Sequence, residues 1–269
     1  MSQRIPDCFE TAKKAGTKVL IPFITAGDPD PEWTVSVMHA LVTAGANLIE
    51  LGVPFSDPMA DGPVIQLASE RAIEKKVNLA KVLELVETFR QRDVTTPVVL
   101  MGYMNPVERY GRVQFPADAT ASGVDGLLLV DCPPHERDDL GVAMNEAGLD
   151  GICLVAPTTT RERVESISSV ASGFIYYVSM KGITGAGQLD SLDLSEPIQQ
   201  IREFSDLPVA VGFGIKNAEM AVGVANHADA VVIGSALVEA LSHAKSKEDA
   251  CAVATAFVAP VRESLDNTH

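Results

Sequence analysis

Hydrophobic residues gather in eight short continuous runs, at residues 19–24, 48–51, 98–101, 126–130, 151–155, 174–178, 209–212 and 230–233. None of them shows the apolar-polar alternation of a half-exposed sheet. They therefore read as parallel strands covered on both faces. The segments between them have a different period. Residues 31–44 and 79–92 carry apolar side chains at three- and four-residue steps, as in Leu83, Val86 and Phe89, which marks amphipathic helices. Further helical stretches lie near 107–122, 134–147, 161–171, 196–204 and 218–226. A short phrase recurs where a helix gives way to a strand: Ala44-Gly45-Ala46-Asn47, Ser122-Gly123-Val124-Asp125 and Ala147-Gly148-Leu149-Asp150, with Asn226-His227-Ala228-Asp229 as a version lacking glycine. Glycine at that place suits a left-handed helix C-terminus. One repeated β/α unit is the meaning of this pattern. Eight such units predict a closed α/β barrel, the (β/α)8 TIM barrel, spanning 1–269 as a single domain. An N-terminal helix over 2–15 and an additional helix over 248–264 complete the expectation. A doubly wound open sheet is the structural rival.

Composition narrows the function classes. Of the 269 residues 46% are hydrophobic, enough for a packed core. No apolar run approaches the roughly 20 residues that span a bilayer, and no apolar signal segment opens the chain, so a cytoplasmic protein is expected. The formal net charge of −15 opposes nucleic acid and anionic membrane, and means that any phosphate must be held by a local site. The cysteines at 8, 132, 153 and 251 form no C-x-x-C pair, and the histidines have no ligand spacing, so neither disulfide nor metal is expected.

In such a barrel chemistry belongs at the C-terminal ends of the strands. Glu50, inside Leu48-Ile49-Glu50-Leu51-Gly52, stands out there. If Ile49 and Leu51 face the helices, Glu50 points into the barrel mouth, where lost hydration raises its pKa and suits it to both giving and taking a proton. The alternative for Glu50 is a structural carboxylate paired with a lysine or arginine. The loop that follows, Gly52-Val-Pro-Phe-Ser-Asp-Pro-Met-Ala-Asp-Gly-Pro63, is stiffened by three prolines and carries Asp57 and Asp61, each of which could equally be a turn or cap residue. Late glycine-rich turns, Gly182-Ile-Thr-Gly-Ala-Gly187, Gly212-Phe-Gly-Ile215 and Gly234-Ser-Ala236, offer backbone N–H groups for a phosphate. They lack the spacing of a dinucleotide fingerprint.

At this point the sequence resembles the tryptophan synthase α subunits. The resemblance covers nearly the whole chain and is densest at Pro22-Phe-Ile-Thr-Ala-Gly-Asp-Pro29, at Glu50 to Pro63, at Gly182-Ile-Thr-Gly185 and at Gly212-Phe-Gly-Ile215. It implies a lyase of tryptophan biosynthesis that cleaves indole-3-glycerol phosphate to indole and glyceraldehyde 3-phosphate without a cofactor. By the same resemblance Glu50, Asp61 and Tyr176 are the catalytic residues, Tyr177 being the competing choice for the tyrosine. Gly185, Gly214, Gly234 and Ser235 match the phosphate cradle. Phe23, Ile65, Met101, Leu128, Val130 and Thr184 match the indole pocket, though the first five, taken alone, read as plain core.

The implied mechanism is a retro-aldol cleavage. Glu50 handles the protons at indole C3 and at the C3′ hydroxyl, and Asp61 holds the indole N–H against the charge that develops on the ring. A pyridoxal-phosphate-dependent β subunit is the implied partner, in an α2β2 heterotetramer, docking over the barrel mouth. Pro54, Phe55 and Asp57, with Asn105 and Pro133 on neighbouring loops, are the expected contacts. The sequence departs from the family pattern at Ala186-Gly187-Gln188, where arginine or glutamate is common, and at Gly102, where a bulkier residue is common. Three other readings stand beside this one: a free-standing indole-releasing lyase, another isomerase or aldolase on the same barrel, and a subunit that only activates a partner. A Schiff-base aldolase would want a lysine at a strand end, and the nearest is Lys18, at the start of the first run.

Overall fold

Eight short strands pair side by side in parallel, and the last pairs with the first. In this computed structural model, which describes residues 3–178, 194–212 and 214–267, the strands are β1 (Val19–Thr25), β2 (Ile49–Gly52), β3 (Val98–Gly102), β4 (Gly126–Leu129), β5 (Asp150–Val155), β6 (Ile175–Val178), β7 (Val209–Gly212) and β8 (Ala230–Ile233). They close into one barrel in sequence order, and the open-sheet alternative is excluded. The helices are α1 (Arg4–Ala15), α2 (Pro31–Thr43), α3 (Pro63–Glu74), α4 (Leu79–Arg90), α5 (Met104–Tyr110), α6 (Gln114–Ala121), α7 (Asp138–Ala147), α8 (Arg161–Ser168), α9 (Ser195–Arg202), α10 (Ala218–Ala225), α11 (Ser235–Ser242) and α12 (Lys247–Asp266).

Each strand divides its side chains between two cores. Ile49, Leu51, Leu100, Leu127, Cys153 and Tyr177 pack outward, into the layer shared with the helices. Leu48, Val99, Leu128, Ile152, Phe174, Ala210 and Val232 fill the barrel. The N-terminal end of that interior is plugged by Ile5, Phe9 and Ala12 of α1, with the Phe9 and Phe174 rings 5.7 Å apart.

The recurring junction phrase serves two purposes. Its glycine terminates the helix: Gly45 and Gly123 take φ of 103° and 93°, where a side chain is strained. Ala46 and Val124 then donate back to Leu41 and Ala119 at 3.0 and 2.9 Å. Its polar end ties the next strand to its neighbour. Asn47 Oδ1 accepts the Leu20 N–H (2.8 Å), Asp125 Oδ2 the Val98 N–H (2.8 Å) and Asp229 Oδ2 the Val209 N–H (2.9 Å). The sequence reading had explained only the glycine.

Three helical expectations need correction. Helix α3 was missed although Pro63 stands at its first position, because the ends lack the usual caps. Its N-cap, Gly62, has no acceptor side chain, and at its far end Lys76, not glycine, takes the left-handed conformation, at φ 63°. The stretch 107–122 is two helices, α5 and α6, parted at Gly111. The stretch 134–147 begins as a 3₁₀ turn, Pro134–Glu136, before α7.

Asp125 is fully buried and compensated on both oxygens. Arg4 reaches Oδ1 at 2.8 Å, and Arg90, itself 9% exposed at the side chain, reaches Oδ2 at 2.8 Å. Removing one member of a buried pair leaves an uncompensated charge. Asp125→Ala is expected to cost about 3–5 kcal/mol in urea denaturation. A loss below ~1 kcal/mol, the usual size for an exposed pair, would show that this network does not carry the junction between α1, α4 and β3.

Candidate active site

Barrel closure sends Glu50 inward. It lies on β2 between Ile49 and Leu51, which face the helices, and its backbone is in register with Phe23 of β1 and Val99 of β3. The residue is 1% exposed, and among the described residues Oε1 has no hydrogen-bond partner. Burial, and next the negative charge of Asp61, push its carboxyl up to about 8. No lysine or arginine neutralises it, so the structural ion-pair alternative fails for the described residues. Glu50 is held as a neutral acid poised near neutrality.

Asp61 comes from the loop between β2 and α3. Its N–H donates to the Pro58 carbonyl at 3.0 Å, and its own carbonyl accepts from Gln66 Nε2 at 2.9 Å, so the loop tip is fastened to the first turn of α3. The Tyr103 hydroxyl donates to Asp61 Oδ2 at 2.9 Å and accepts the Ala60 N–H at 3.1 Å. Burial outweighs this bond and holds the Asp61 carboxyl above its ordinary range. Tyr103 was not singled out in the sequence. Nothing along the chain signals that it meets an aspartate 42 positions away.

The two tyrosines of β6 separate by the alternation of the strand. Tyr176 joins the interior cluster, whereas Tyr177 packs in the outer layer. Burial first, and then the negative charges of Glu50 and Asp61, push the Tyr176 phenol well up, so it stays protonated. Its hydroxyl lies against Gly212, where any Cβ would collide with it.

A small cavity lies beside Asp61 at the strand C-termini. Phe23, Ile65, Met101 and Val130 line it together, as four of the expected indole-pocket residues. Leu128 does not; it is fully buried in the barrel interior. The wall also includes three polar residues that the sequence reading missed, Thr25, Ser69 and Tyr103. Thr25 Oγ1 is buried with no partner among the described residues. Gly52 is required here, since a Cβ would fall 2.5 Å from the Phe23 ring.

Of the expected phosphate cradle, Gly234 is the N-cap of α11 and Ser235 its first residue, and the helix has no side-chain cap to occupy its leading N–H groups. Gly234 also lies against Phe23, so that helix end adjoins the cavity wall. Gly214, at the end of β7, has φ 65°. Thr184 and Gly185 lie outside the described residues.

The expected partner loops share the barrel mouth. Met104 N–H donates to Asp131 Oδ1 at 2.7 Å, joining the loops after β3 and β4 that bear Asn105 and Pro133. Asn105 and Asp57 are exposed and Pro133 half-buried. Phe55 is half-buried, its ring 5.3 Å from that of Tyr103. Pro54 is buried and cannot belong to an exposed patch, because it lies where the chain leaves β2 and is still covered by the barrel rim. Met59, 83% exposed, is the large apolar side chain that this loop presents. No group of three or more His, Cys, Asp or Glu able to hold a metal occurs among the described residues, and no helix there is long and apolar enough to cross a membrane.

Known proteins share this arrangement along their full length. The family model described as tryptophan synthase alpha chain matches residues 9–266. The tryptophan synthase alpha chain of Xylella fastidiosa (strain M12) is 55% identical over 263 residues, 98% of both chains. That of Ralstonia nicotianae is 56% identical over 263 residues, 98% of this chain and 99% of the relative. Among solved structures, tryptophan synthase subunit alpha from Legionella pneumophila superposes with a TM-score of 0.89 at 44% identity, covering 99% of this chain and all of the other. A chain of M. tuberculosis tryptophan synthase, in an aminoacrylate-bound form, gives 0.85 at 32% identity, covering 98% of this chain and 100% of that one. With the family model spanning almost all of the sequence and relatives identical at more than half their positions, this chain belongs to the tryptophan synthase alpha chain family.

Proposed function

We propose that this chain cleaves indole-3-glycerol phosphate by a retro-aldol reaction in which Glu50 moves the protons and Asp61 holds the indole ring. The observation that carries the assignment of roles is the buried Glu50 carboxyl, raised to about 8 and with no partner for Oε1 among the described residues, beside a second carboxylate that reaches the same mouth from a stiff loop. Neutral Glu50 gives its proton to indole C3, and the ring becomes a cation. Asp61, ionised and aligned by the Tyr103 hydroxyl, accepts the ring N–H and stabilises that charge where it forms. As the C3–C3′ bond breaks, its electron pair returns to the ring. The Glu50 carboxylate takes the proton of the C3′ hydroxyl, which becomes the aldehyde, and the acid is restored. The two carboxyls thus take different parts at one barrel mouth.

The phosphate rests on backbone N–H groups of Gly185, Gly214, Gly234 and Ser235, which need no side-chain cation. Phe23, Ile65, Met101 and Val130 give the indole an apolar slot, and Tyr176 closes the interior beneath it. A Schiff-base aldolase is disfavoured by position. Lys18 lies at the N-terminal end of β1, away from the mouth, with Nζ on the Ala228 carbonyl at 2.8 Å. The partner in this reading is a tryptophan synthase β subunit in an α2β2 assembly, contacting Phe55, Asp57, Met59, Asn105 and Pro133. The likeness to a chain of the M. tuberculosis enzyme and the exposure of these loops support that choice.

Glu50→Gln and Asp61→Asn are each expected to lower indole release by about 10²–10⁴-fold while the protein stays folded. Folded Glu50→Gln with near-normal activity would remove Glu50 from the mechanism.

The Glu50 carboxyl also makes stability depend on pH in a defined direction. Its pKa in the folded chain, about 8, lies above the ordinary 4.5. Between these values the folded state keeps a proton that the unfolded state has lost, so this residue's contribution to stability falls as pH rises from about 4.5 to about 8 and then levels. Glu50→Gln cannot ionise, and its melting temperature should rise relative to the unsubstituted protein across that window. A constant difference between pH 5 and 9 would contradict the elevated pKa. In steady-state assays kcat/KM should decline above about pH 8, as the essential acid is lost.

Asp57 is exposed and outside the cavity. Asp57→Ala should weaken binding to a β subunit in titration calorimetry and leave the activity of the isolated chain unchanged. An unaltered affinity would move the contact elsewhere.

A further inference from the structure

The cavity beside Asp61 has two walls built from parts of the chain that are not covalent neighbours. Phe23 and Thr25 come from β1, and Ile65 and Ser69 from α3, which starts two residues after Asp61. Beyond the cavity the same two elements meet again. Asp28, in the loop after β1, receives Nε and NH2 of Arg71 on its two oxygens at 2.6 and 2.9 Å. One turn further along α3, Lys75 Nζ donates to Asp30 Oδ2 at 2.6 Å and to the Pro29 carbonyl at 2.7 Å. Gly27 lies so close to Val77, just past α3, that a Cβ there would overlap its methyl group at 2.5 Å.

We propose that the Asp28–Arg71 pair is a positioning clip for the lyase reaction, fixing α3 against β1 and thereby the placement of Asp61 opposite the indole. The ring of connections is closed: β1 wall, loop, Asp28, Arg71, α3, Asp61, cavity and β1 wall again. Within it Gln66, on the first turn of α3, grips the Asp61 carbonyl at 2.9 Å, so a tilt of the helix moves the carboxylate.

Stability alone is a poor reason for such a pair. The Asp28 side chain is 2% exposed and that of Arg71 35%, so the carboxylate loses nearly all its hydration while the guanidinium keeps some water. Burial outweighs Arg71 and Lys75 and holds the Asp28 carboxyl above its ordinary range. Replacing buried ion pairs by apolar side chains is often neutral or stabilising. What two parallel hydrogen bonds add is a fixed distance and a fixed plane between loop and helix, and Lys cannot reproduce that fork.

This inference rests on the proposed role of Asp61, and the test separates the two. Four proteins are compared with the unsubstituted chain for indole release from indole-3-glycerol phosphate and for melting temperature: Asp28→Leu/Arg71→Met, Arg71→Lys, Asp28→Asn and Asp61→Asn. The apolar double variant leaves no orphaned charge. It should melt within a few degrees of the unsubstituted chain, with kcat at least tenfold lower and a smaller change in KM. Arg71→Lys should recover part of the lost kcat, and Asp28→Asn, which keeps one acceptor oxygen, should fall between. A double variant that melts normally with kcat within twofold overturns the clip, as does a loss seen only in KM. Should the double variant not fold, Arg71→Lys decides: unchanged kcat in a folded protein overturns the proposal. Full activity in Asp61→Asn would overturn the role of Asp61 instead.

Discussion

Closing eight short parallel strands into a barrel forces every second side chain into a space with no water. This constraint organises the rest of the molecule. Most strands meet it with apolar residues, packed in the interior beneath the mouth and sealed by Phe9 and Ile5 of α1. The second strand places a glutamate there. A carboxylate in that position cannot keep its ordinary pKa, and among the described residues no cation pairs with it, so burial pushes it up to about 8. The acid of the proposed mechanism is therefore a product of barrel geometry.

The mouth adds a second carboxylate by a different route. Asp61 reaches the site from a proline-stiffened loop, and a neutral donor, Tyr103, holds it where a lysine would have cancelled its charge. In the proposed mechanism the two carboxyls take different parts, and the fold separates them by putting one inside the barrel and the other on its rim. Thr25 and Ser69, polar groups in an otherwise apolar wall, belong to the same rim. Thr25 Oγ1 has no partner among the described residues, a cost that a packed core without a ligand site would have removed.

At the opposite, N-terminal end of the barrel the polar residues do structural work. Asn47, Asp125 and Asp229 each bond the leading N–H of an adjacent strand, and Arg90 and Arg4 meet Asp125. The division is spatial: Asp125 and Asp229 at strand starts are bonded and rigidify, while Glu50 Oε1, nearer the mouth, has no partner among the described residues. Side chains of the same type differ in role because the two ends of the barrel differ in what surrounds them.

The sequence by itself determined the strand order and most of the helices between, because the hydrophobic period is a local property. It also determined which face of β2 bears Glu50, since alternation along a strand follows from Ile49 and Leu51 alone. The family was legible in the run from Glu50 to Pro63, whose prolines, glycines and aspartates are a dense local signature. Tertiary structure decided what depends on distant partners. Tyr103 meets Asp61 across 42 residues, and Arg71 meets Asp28 across 43, and neither pairing leaves a mark in the spacing of the chain. Helix α3 escaped notice because no acceptor side chain caps its start and Lys76, not glycine, takes the left-handed conformation at its end. Pro54 looked like part of a docking surface and is covered, and Leu128 looked like pocket and is interior, because exposure and depth are set by neighbours in space. The raised pKa of Glu50 follows the same rule: the residue type and its strand were written in the sequence, but the removal of water around it required the other seven strands to be in place.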